Sequence, residues 1–377
     1  MTALASSRRP RFLTPQRALL SLLVFVALAP LAAALHWSGS ATFAFAALAI
    51  VPLAGLMGEA TESLAARLGA GVGGLLNATF GNAAELIIAM VALQRGLYDV
   101  VKASLTGSII GNILLVVGLA CVAGGIGRER QVFDRAAAAA GSTLLVLAVI
   151  GLVVPAMFQF VAGAAVRGGT LAAGREAAME RTLSLEISLV LFAAYLLSLL
   201  FSLRTHRHLY AGQARAGHEA GHAPESVPRA ATTLLVVTAL VAWMSELLVG
   251  AVEEASRALG LTEVFVGVVV VAVIGNAAEH STAVTVAMKN KMDLALNIAI
   301  GSSIQIALFV APLLVFFSYL MPHGAMDLRF SPFEVLAVGV AVGAVSLVSQ
   351  DGESNWLEGA FLVAVYLVLA IAFFYLP

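Results

Sequence analysis

Apolar residues run through this sequence in stretches of about twenty, the length that an α-helix needs to cross the hydrocarbon core of a bilayer. Hydrophobic residues make up 60% of the chain and charged residues only 11%, whereas about a quarter of a soluble domain is charged. The sequence therefore predicts an all-α integral membrane protein whose main partner is the lipid bilayer. The predicted spans number about eleven, at residues 17–36, 41–66, 70–94, 98–123, 137–160, 183–203, 230–252, 263–288, 292–321, 332–350 and 355–376.

The basic residues between the spans predict the orientation of the chain. Four basic segments, 8–17, 127–135, 204–218 and 289–291, fall on one side if the N-terminus is cytoplasmic, as the positive-inside rule requires. Three arginines in 161–181 fall on the other side and do not follow the rule. The predicted location is a prokaryotic cell (inner) membrane. The net charge of −1 leaves no basic footprint for nucleic acid.

The pentapeptide GNAAE occurs twice, at residues 81–85 and 275–279. Asn82 aligns with Asn276 and Gly107 with Gly301, both at an offset of 194 residues, so the copies align without a gap across two helices. An internal repeat of this kind predicts a first copy at 38–203 and a second copy at 230–377. Each copy would contain five spans, and an odd number places the copies in opposite orientations. Inverted repeats with a binding site at their interface are typical of secondary transporters.

Two segments lie outside the repeats. Residues 1–37 form a basic N-terminal segment and an extra first helix. Residues 204–229 form a cytoplasmic linker, which holds His206, His208, His218 and His222. These histidines could form a regulatory metal site or belong to a solvated loop. The solvated loop is favoured because no pair has a coordinating spacing on a predicted helix.

Each repeated motif places a glutamate inside a predicted span. A carboxylate at a helix centre costs on the order of 2.5–3.5 kcal/mol, so such acids usually face a cavity or a partner. No lysine or arginine lies near Glu85 or Glu279 in its own span. Glycine and asparagine weaken a helix, so Gly81-Asn82 and Gly275-Asn276 predict local unwinding that frees backbone carbonyls.

The helix after each motif adds further oxygen ligands. An asparagine and a glutamate three residues apart share one helix face, and Ser108, Asn112, Ser302 and Gln305 follow in the next helices. Such oxygens suit Ca²⁺, which takes about six to eight oxygen ligands. Zinc and copper are disfavoured because His280 is the one His or Cys beside these acids. His280 is turned about 100° from the glutamate before it and is predicted to have a packing role.

The paired motifs, the second continuing as Glu-His and each followed by a helix beginning Gly-Ser, resemble the cation/proton exchanger family. That family includes bacterial-type calcium/proton antiporters and belongs to the calcium/cation antiporter superfamily, and the resemblance covers nearly the whole chain. It implies exchange of Ca²⁺ for H⁺ by alternating access, with no cofactor. It also implies that Glu85 and Glu279 bind Ca²⁺ or protons in turn, supported by Asn82, Asn276, Ser108, Asn112, Ser302 and Gln305.

Alternative functions stay open at this point. A sodium-driven calcium exchanger of the same superfamily is the nearest one, and the presence of GNAAE in both copies favours proton exchange. An intramembrane enzyme would need a nucleophile with a base, or a metal-binding motif, and the sequence shows neither. Glu59 and Glu253 are repeat-related acids near span ends that are interpreted as access-path residues. A homo-oligomer is compatible with the sequence.

We expect Glu85→Gln and Glu279→Gln each to reduce calcium exchange to the protein-free background while the protein still folds and inserts. Each change removes a negative charge and a proton-carrying group at nearly constant volume. The measurement is uptake of labelled Ca²⁺ into proteoliposomes, with size-exclusion chromatography as the folding control. Wild-type rates in either variant would remove that glutamate from the site.

Overall fold

The computed structural model describes residues 19–205 and 226–376. The predicted linker lies mostly outside this range, and so do its four histidines. The described chain is almost entirely helical. Its helices are α1 Leu19–Ala34, α2 Gly39–Phe80, α3 Ala83–Gln94, α4 Tyr98–Gly125, α5 Arg135–Arg167, α6 Ala173–Leu200, α7 Val227–Gly250, α8 Val252–Leu259, α9 Glu263–Gly275, α10 Ala277–Met288, α11 Met292–Ser318, α12 Pro332–Val348 and α13 Trp356–Tyr375.

The membrane-spanning character of these helices is clear from their length and composition. Within the described residues, seven helices are long and apolar enough to cross a bilayer, or nine if each of two bent helix pairs is one crossing. Two shorter apolar helices, α1 and α12, fall at the first and tenth predicted spans. The all-α membrane fold is confirmed, while the count of eleven spans stays a prediction.

The second and third predicted spans, 41–66 and 70–94, agree with two separate apolar segments, Gly39–Leu68 and the bent pair Val72–Phe80 and Ala83–Gln94. The helical backbone of α2 nevertheless continues through 42 residues across the boundary between them. A straight helix would place residues eight apart about 12 Å from each other, yet a Cβ added to Gly73 would overlap the backbone of Ala65. The chain therefore reverses direction between these residues while keeping helical backbone, so one assigned helix supplies two segments.

The predicted loop at 161–181 is also mostly helical. Helix α5 continues to Arg167 and α6 begins at Ala173, so only a short connection remains between them. The charged residues of this region therefore lie within helices. One of them, Glu180, pairs with Arg329 at 3.5 Å.

The described residues contain one small β-ribbon besides the helices and their connections. Strand β1 Gln131–Val132 pairs with strand β2 Glu353–Ser354 in antiparallel register. It joins the connection between α4 and α5 to the connection between α12 and α13. Arg130 reinforces it through an ion pair with Glu353.

Helices α4 and α11 form the centre of the molecule. Of the apolar window in each, 83% and 72% is buried, compared with 28% and 22% for α5 and α6. The outer helices turn large apolar side chains outward, such as Phe160 and Leu235, which are 71% and 72% exposed. Exposed apolar surface on this scale is typical of a lipid interface, and it leaves the two central helices shielded from lipid.

One end of the bundle is closed by the connection between α11 and α12. Met326, Leu328 and Phe330 are buried there at 2% exposure or less. The Lys102 ammonium of α4 binds the Asp327 carboxylate at 2.5 Å. The Tyr98 hydroxyl donates to the Gly324 carbonyl oxygen at 2.7 Å. This connection therefore packs tightly over the start of α4.

Both repeated motifs interrupt a helix, as the sequence predicts. Helix α2 ends before Asn82, whose φ and ψ are −106° and 30°. Helix α9 ends before Asn276, whose φ and ψ are −92° and 4°. The central helices α4 and α11 also carry a π-helical turn each, at Gly111–Val116 and Ile306–Val310. The breaks lie against α4 and α11, where they position the polar residues described next.

Candidate cation-binding site

The asparagine of the first motif is held by α11, the helix that follows the second motif. The Asn82 Nδ2 atom donates to Gln305 Oε1 at 2.6 Å. The Ser302 hydroxyl donates to Asn82 Oδ1 at 2.7 Å. Asn82 is only 2% exposed, so both polar ends of a buried amide are satisfied by the other copy.

The asparagine of the second motif makes the equivalent contacts in the opposite direction. The Asn276 Nδ2 atom donates to the Ser108 hydroxyl of α4 at 3.0 Å, and Asn276 Oδ1 accepts from Asn112 Nδ2 at 3.1 Å. Ser108 and Ser302 are themselves repeat-related, at the same offset of 194 residues. The two motifs are therefore joined by a crossed pair of asparagine–serine hydrogen bonds.

Asn112 connects these contacts into one network. Its Nδ2 atom also donates to the Ser302 hydroxyl at 3.0 Å, and its Oδ1 atom lies 3.1 Å from His280 Nε2. The interpretation of His280 as a packing residue is therefore incomplete, because its ring nitrogen joins the polar network. Sequence reasoning missed this contact since the partner lies on another helix, 168 residues away.

The two glutamates lie beside this network. Glu85 and Glu279 each occupy the first turn of the helix that restarts after the break, where the positive end of the helix dipole stabilises a carboxylate. The Glu85 carboxylate lies against the backbone of Gly275. Glu279 lies beside Ser302, and the two carboxylates are close enough to repel each other.

One carboxylate oxygen is left without a protein partner. Among the described residues, Glu279 Oε2 is buried and has no hydrogen-bond donor. A buried carboxylate oxygen without a donor is costly unless a proton or a cation neutralises it. The described residues contain no group of three or more His, Cys, Asp or Glu side chains suited to a metal ion. A cation here would be held by two carboxylates and neutral oxygens, a donor set that suits Ca²⁺.

The remaining candidates lie elsewhere. The Ser303 hydroxyl donates to the Ala299 carbonyl oxygen of its own helix at 3.0 Å. Glu59 is exposed on α2. Glu253 is exposed at the start of α8 and pairs with Arg257 at 3.6 Å. The structure does not bring Glu59 or Glu253 to the network, and their access-path role stays a prediction.

A cavity of about 590 Å³ leads to this network between α5, α6 and α11. Asp134 and Asp293 lie at one end of its lining and Gln305 lies at the other. Asp293, Asn297, Gly301 and Gln305 follow each other at four-residue spacing on α11, so they form one stripe on one helix face. Sequence reasoning missed Asn297, which lies two four-residue steps before Gln305.

Known proteins match this chain over nearly its whole length. The sequence profile of a family described as sodium/calcium exchanger protein matches residues 38–204 and 229–375. A Ca²⁺/H⁺ antiporter of Aphanothece halophytica is 48% identical over 368 residues, covering 94% of this chain and 96% of its own. The Ca²⁺/H⁺ antiporter ChaA of Bacillus subtilis is 43% identical over 353 residues, covering 93% and 97%. The solved structure of native YfkE superposes with a TM-score of 0.79 at 40% identity, covering 95% of this chain and 100% of that one.

We expect Ser302→Ala and Gln305→Ala each to raise the half-saturating Ca²⁺ concentration about tenfold, because each removes a hydrogen bond that holds the buried Asn82 amide. Ser303→Ala is the matched control, since its hydroxyl donates to the backbone carbonyls of Ala299 and Ile109 rather than to Asn82, and its half-saturation should change less than about threefold. The measurement is Ca²⁺ uptake into proteoliposomes over a concentration series. Equal effects from all three variants would show that the assigned helix face is wrong.

Proposed function

The chain belongs to the sodium/calcium exchanger protein family, and we propose that it exchanges Ca²⁺ for H⁺ across a membrane by alternating access. The observation that carries this proposal is the crossed asparagine–serine network with a glutamate of each motif beside it. Two relatives that match over almost their full lengths are described as Ca²⁺/H⁺ antiporters. Their names support protons rather than sodium as the counter-ion.

The shared site explains why two ions of different chemistry exchange. Two carboxylates side by side repel each other, and in a poorly solvated site their charges cost free energy. Calcium brings two positive charges and neutralises both Glu85 and Glu279. Protons do the same when calcium leaves, so the pair titrates as one coupled unit. An empty, doubly charged site is costly to enclose, and the protein therefore changes conformation mainly when it is loaded.

The two repeats are proposed to lie in opposite orientations and to share this site at their interface. The crossed hydrogen bonds support this arrangement, because the asparagine of each motif bonds to the equivalent serine of the other copy. The family profile also matches the chain in two segments, close to the proposed copies at 38–203 and 230–377. With basic segments inside, the N-terminus would be cytoplasmic and the membrane a prokaryotic inner membrane.

Alternating access is supported by a difference between equivalent faces of α4 and α11. On α11, a Cβ added to Gly301 would meet no atom within 4 Å, because the cavity adjoins it. On α4, a Cβ added to Gly107 would overlap the Val268 carbonyl. The π-helical turn Val266–Val271 of α9 covers that face. One route to the site is thus open and its repeat-related counterpart is closed.

The repeat offset of 194 residues also identifies the segment that would close the open route. Val266–Val271 is equivalent to residues 72–77 of α2, and these residues do not cover α11. Within that stretch, Gly74 instead packs against the Leu203 side chain. We propose that residues 72–77 move onto the Asn297 and Gly301 face as the opposite route opens. The distribution of basic segments supports a cytoplasmic side for the open route.

We expect proteoliposomes with an imposed pH gradient to accumulate labelled Ca²⁺ in sodium-free buffer, with a half-saturating concentration that rises as the pH falls. Protons and Ca²⁺ compete for the same two carboxylates, so more Ca²⁺ is needed when protons are abundant. The measurement is initial uptake over a series of pH values, with and without sodium. Transport that requires sodium at fixed pH would favour a sodium-driven exchanger, and a flat half-saturation would contradict the shared site.

We expect a cysteine at position 297 to react with a small thiol reagent at least about tenfold faster than one at position 103, because closed conformations of this kind open in at most about a tenth of molecules. Asn297 lines the cavity, whereas its repeat-related partner Ala103 is fully buried. The measurement uses Asn297→Cys and Ala103→Cys in a Cys121→Ala background, since Cys121 is the chain's single cysteine. Equal labelling rates would contradict the assignment of open and closed routes.

A further inference from the structure

A buried tyrosine completes the helix break of the first motif. The break at Asn82 leaves the Ala78 carbonyl oxygen, one turn earlier, at the end of α2. The Tyr195 hydroxyl of α6 donates to this oxygen at 2.9 Å. Tyr195 is only 3% exposed. A carbonyl at a helix end needs such a partner when no water reaches it.

The second motif satisfies the equivalent carbonyl in a different way. Ala272 is related to Ala78 by the repeat offset, and its oxygen accepts from the Asn276 backbone N–H at 3.2 Å and from the Asn276 side-chain Nδ2 at 2.8 Å. The same Nδ2 atom donates to Ser108. The amide nitrogen of Asn276 therefore faces its serine and its own helix, and the amide oxygen faces Asn112.

The amide of Asn82 is turned the other way. Its oxygen faces Ser302, the counterpart of Ser108, and its nitrogen faces Gln305 at 2.6 Å. This orientation is available because the Ala78 carbonyl already has a donor. We propose that Tyr195 is a positioning residue that, by capping Ala78, fixes the Asn82 amide with its oxygen toward Ser302 and its nitrogen toward Gln305. The inference rests on the proposed function, since Asn82, Ser302 and Gln305 are ligands of the proposed calcium site.

Packing holds the tyrosine in place from a second side. Its ring lies 5.2 Å from the Phe309 ring, centroid to centroid. Phe309 belongs to the π-helical turn Ile306–Val310 that directly follows Gln305. Tyr195 therefore contacts α2, which ends just before Asn82, and α11, which carries Gln305.

The test is Tyr195→Phe, which removes the hydroxyl and keeps the ring. We expect the Asn82 amide to turn over, as in Asn276, so that the half-saturating Ca²⁺ concentration in sodium-free proteoliposomes rises about tenfold while the maximal rate is kept. The matched control is Tyr366→Phe. Tyr366 is 5% exposed and its hydroxyl has no hydrogen-bond partner among the described residues, so transport should be unchanged.

A double variant tests the route of the effect. In a Gln305→Leu background the Asn82 amide has lost the partner of its nitrogen and is free to cap Ala78. Tyr195→Phe should then change neither half-saturation nor melting temperature further. If Tyr195→Phe alone fails to fold, the Tyr195→Phe/Gln305→Leu protein should fold. Failure of both to fold, or additive effects on half-saturation, would overturn the proposal.

The outcomes separate this inference from the proposed function. If the wild-type protein carries no Ca²⁺ against a pH gradient, the proposed function is wrong. If the wild-type protein transports normally and Tyr195→Phe matches both it and Tyr366→Phe in half-saturation, only the positioning role is wrong.

Discussion

The crossed hydrogen bonds between the two GNAAE motifs are the interaction on which the rest of this structure depends. Asn82 binds Ser302 and Asn276 binds Ser108, so each helix break is held open by the other copy. A broken helix inside a membrane leaves polar backbone that lipid cannot satisfy. The breaks are therefore stable only while the two copies remain together. The same packing brings the glutamates that follow the breaks close to each other.

The sequence predicted the parts of this arrangement that leave a periodic or repeated signal. The apolar runs predicted the membrane helices, and the offset of 194 residues predicted that Asn82 and Asn276 play equivalent parts. Gly-Asn before each glutamate predicted the helix breaks. These signals are local, because each depends on residue types within one helix or one motif.

The missed features depend on contacts between distant segments. The β-ribbon is two residues long in each strand, which is too short for an alternating pattern. The hydrogen-bond partners of His280 and Tyr195 are 168 and 117 residues away in the sequence. Only the folded arrangement of helices reveals those pairs.

The two copies differ in how exposed their equivalent helix faces are, and the proposed alternating access depends on this difference. A symmetric pair would open to both sides or to neither, whereas here the Gly301 face is open and the Gly107 face is covered.

The central proposal is that Glu85 and Glu279 form one site that holds either Ca²⁺ or protons. Counting protons released as Ca²⁺ binds tests it most directly, in weakly buffered, sodium-free detergent solution over a series of pH values. The account predicts release that approaches about two protons per bound Ca²⁺ as the pH is lowered, and less in Glu85→Gln or Glu279→Gln. Calcium binding without proton release at any pH would contradict it.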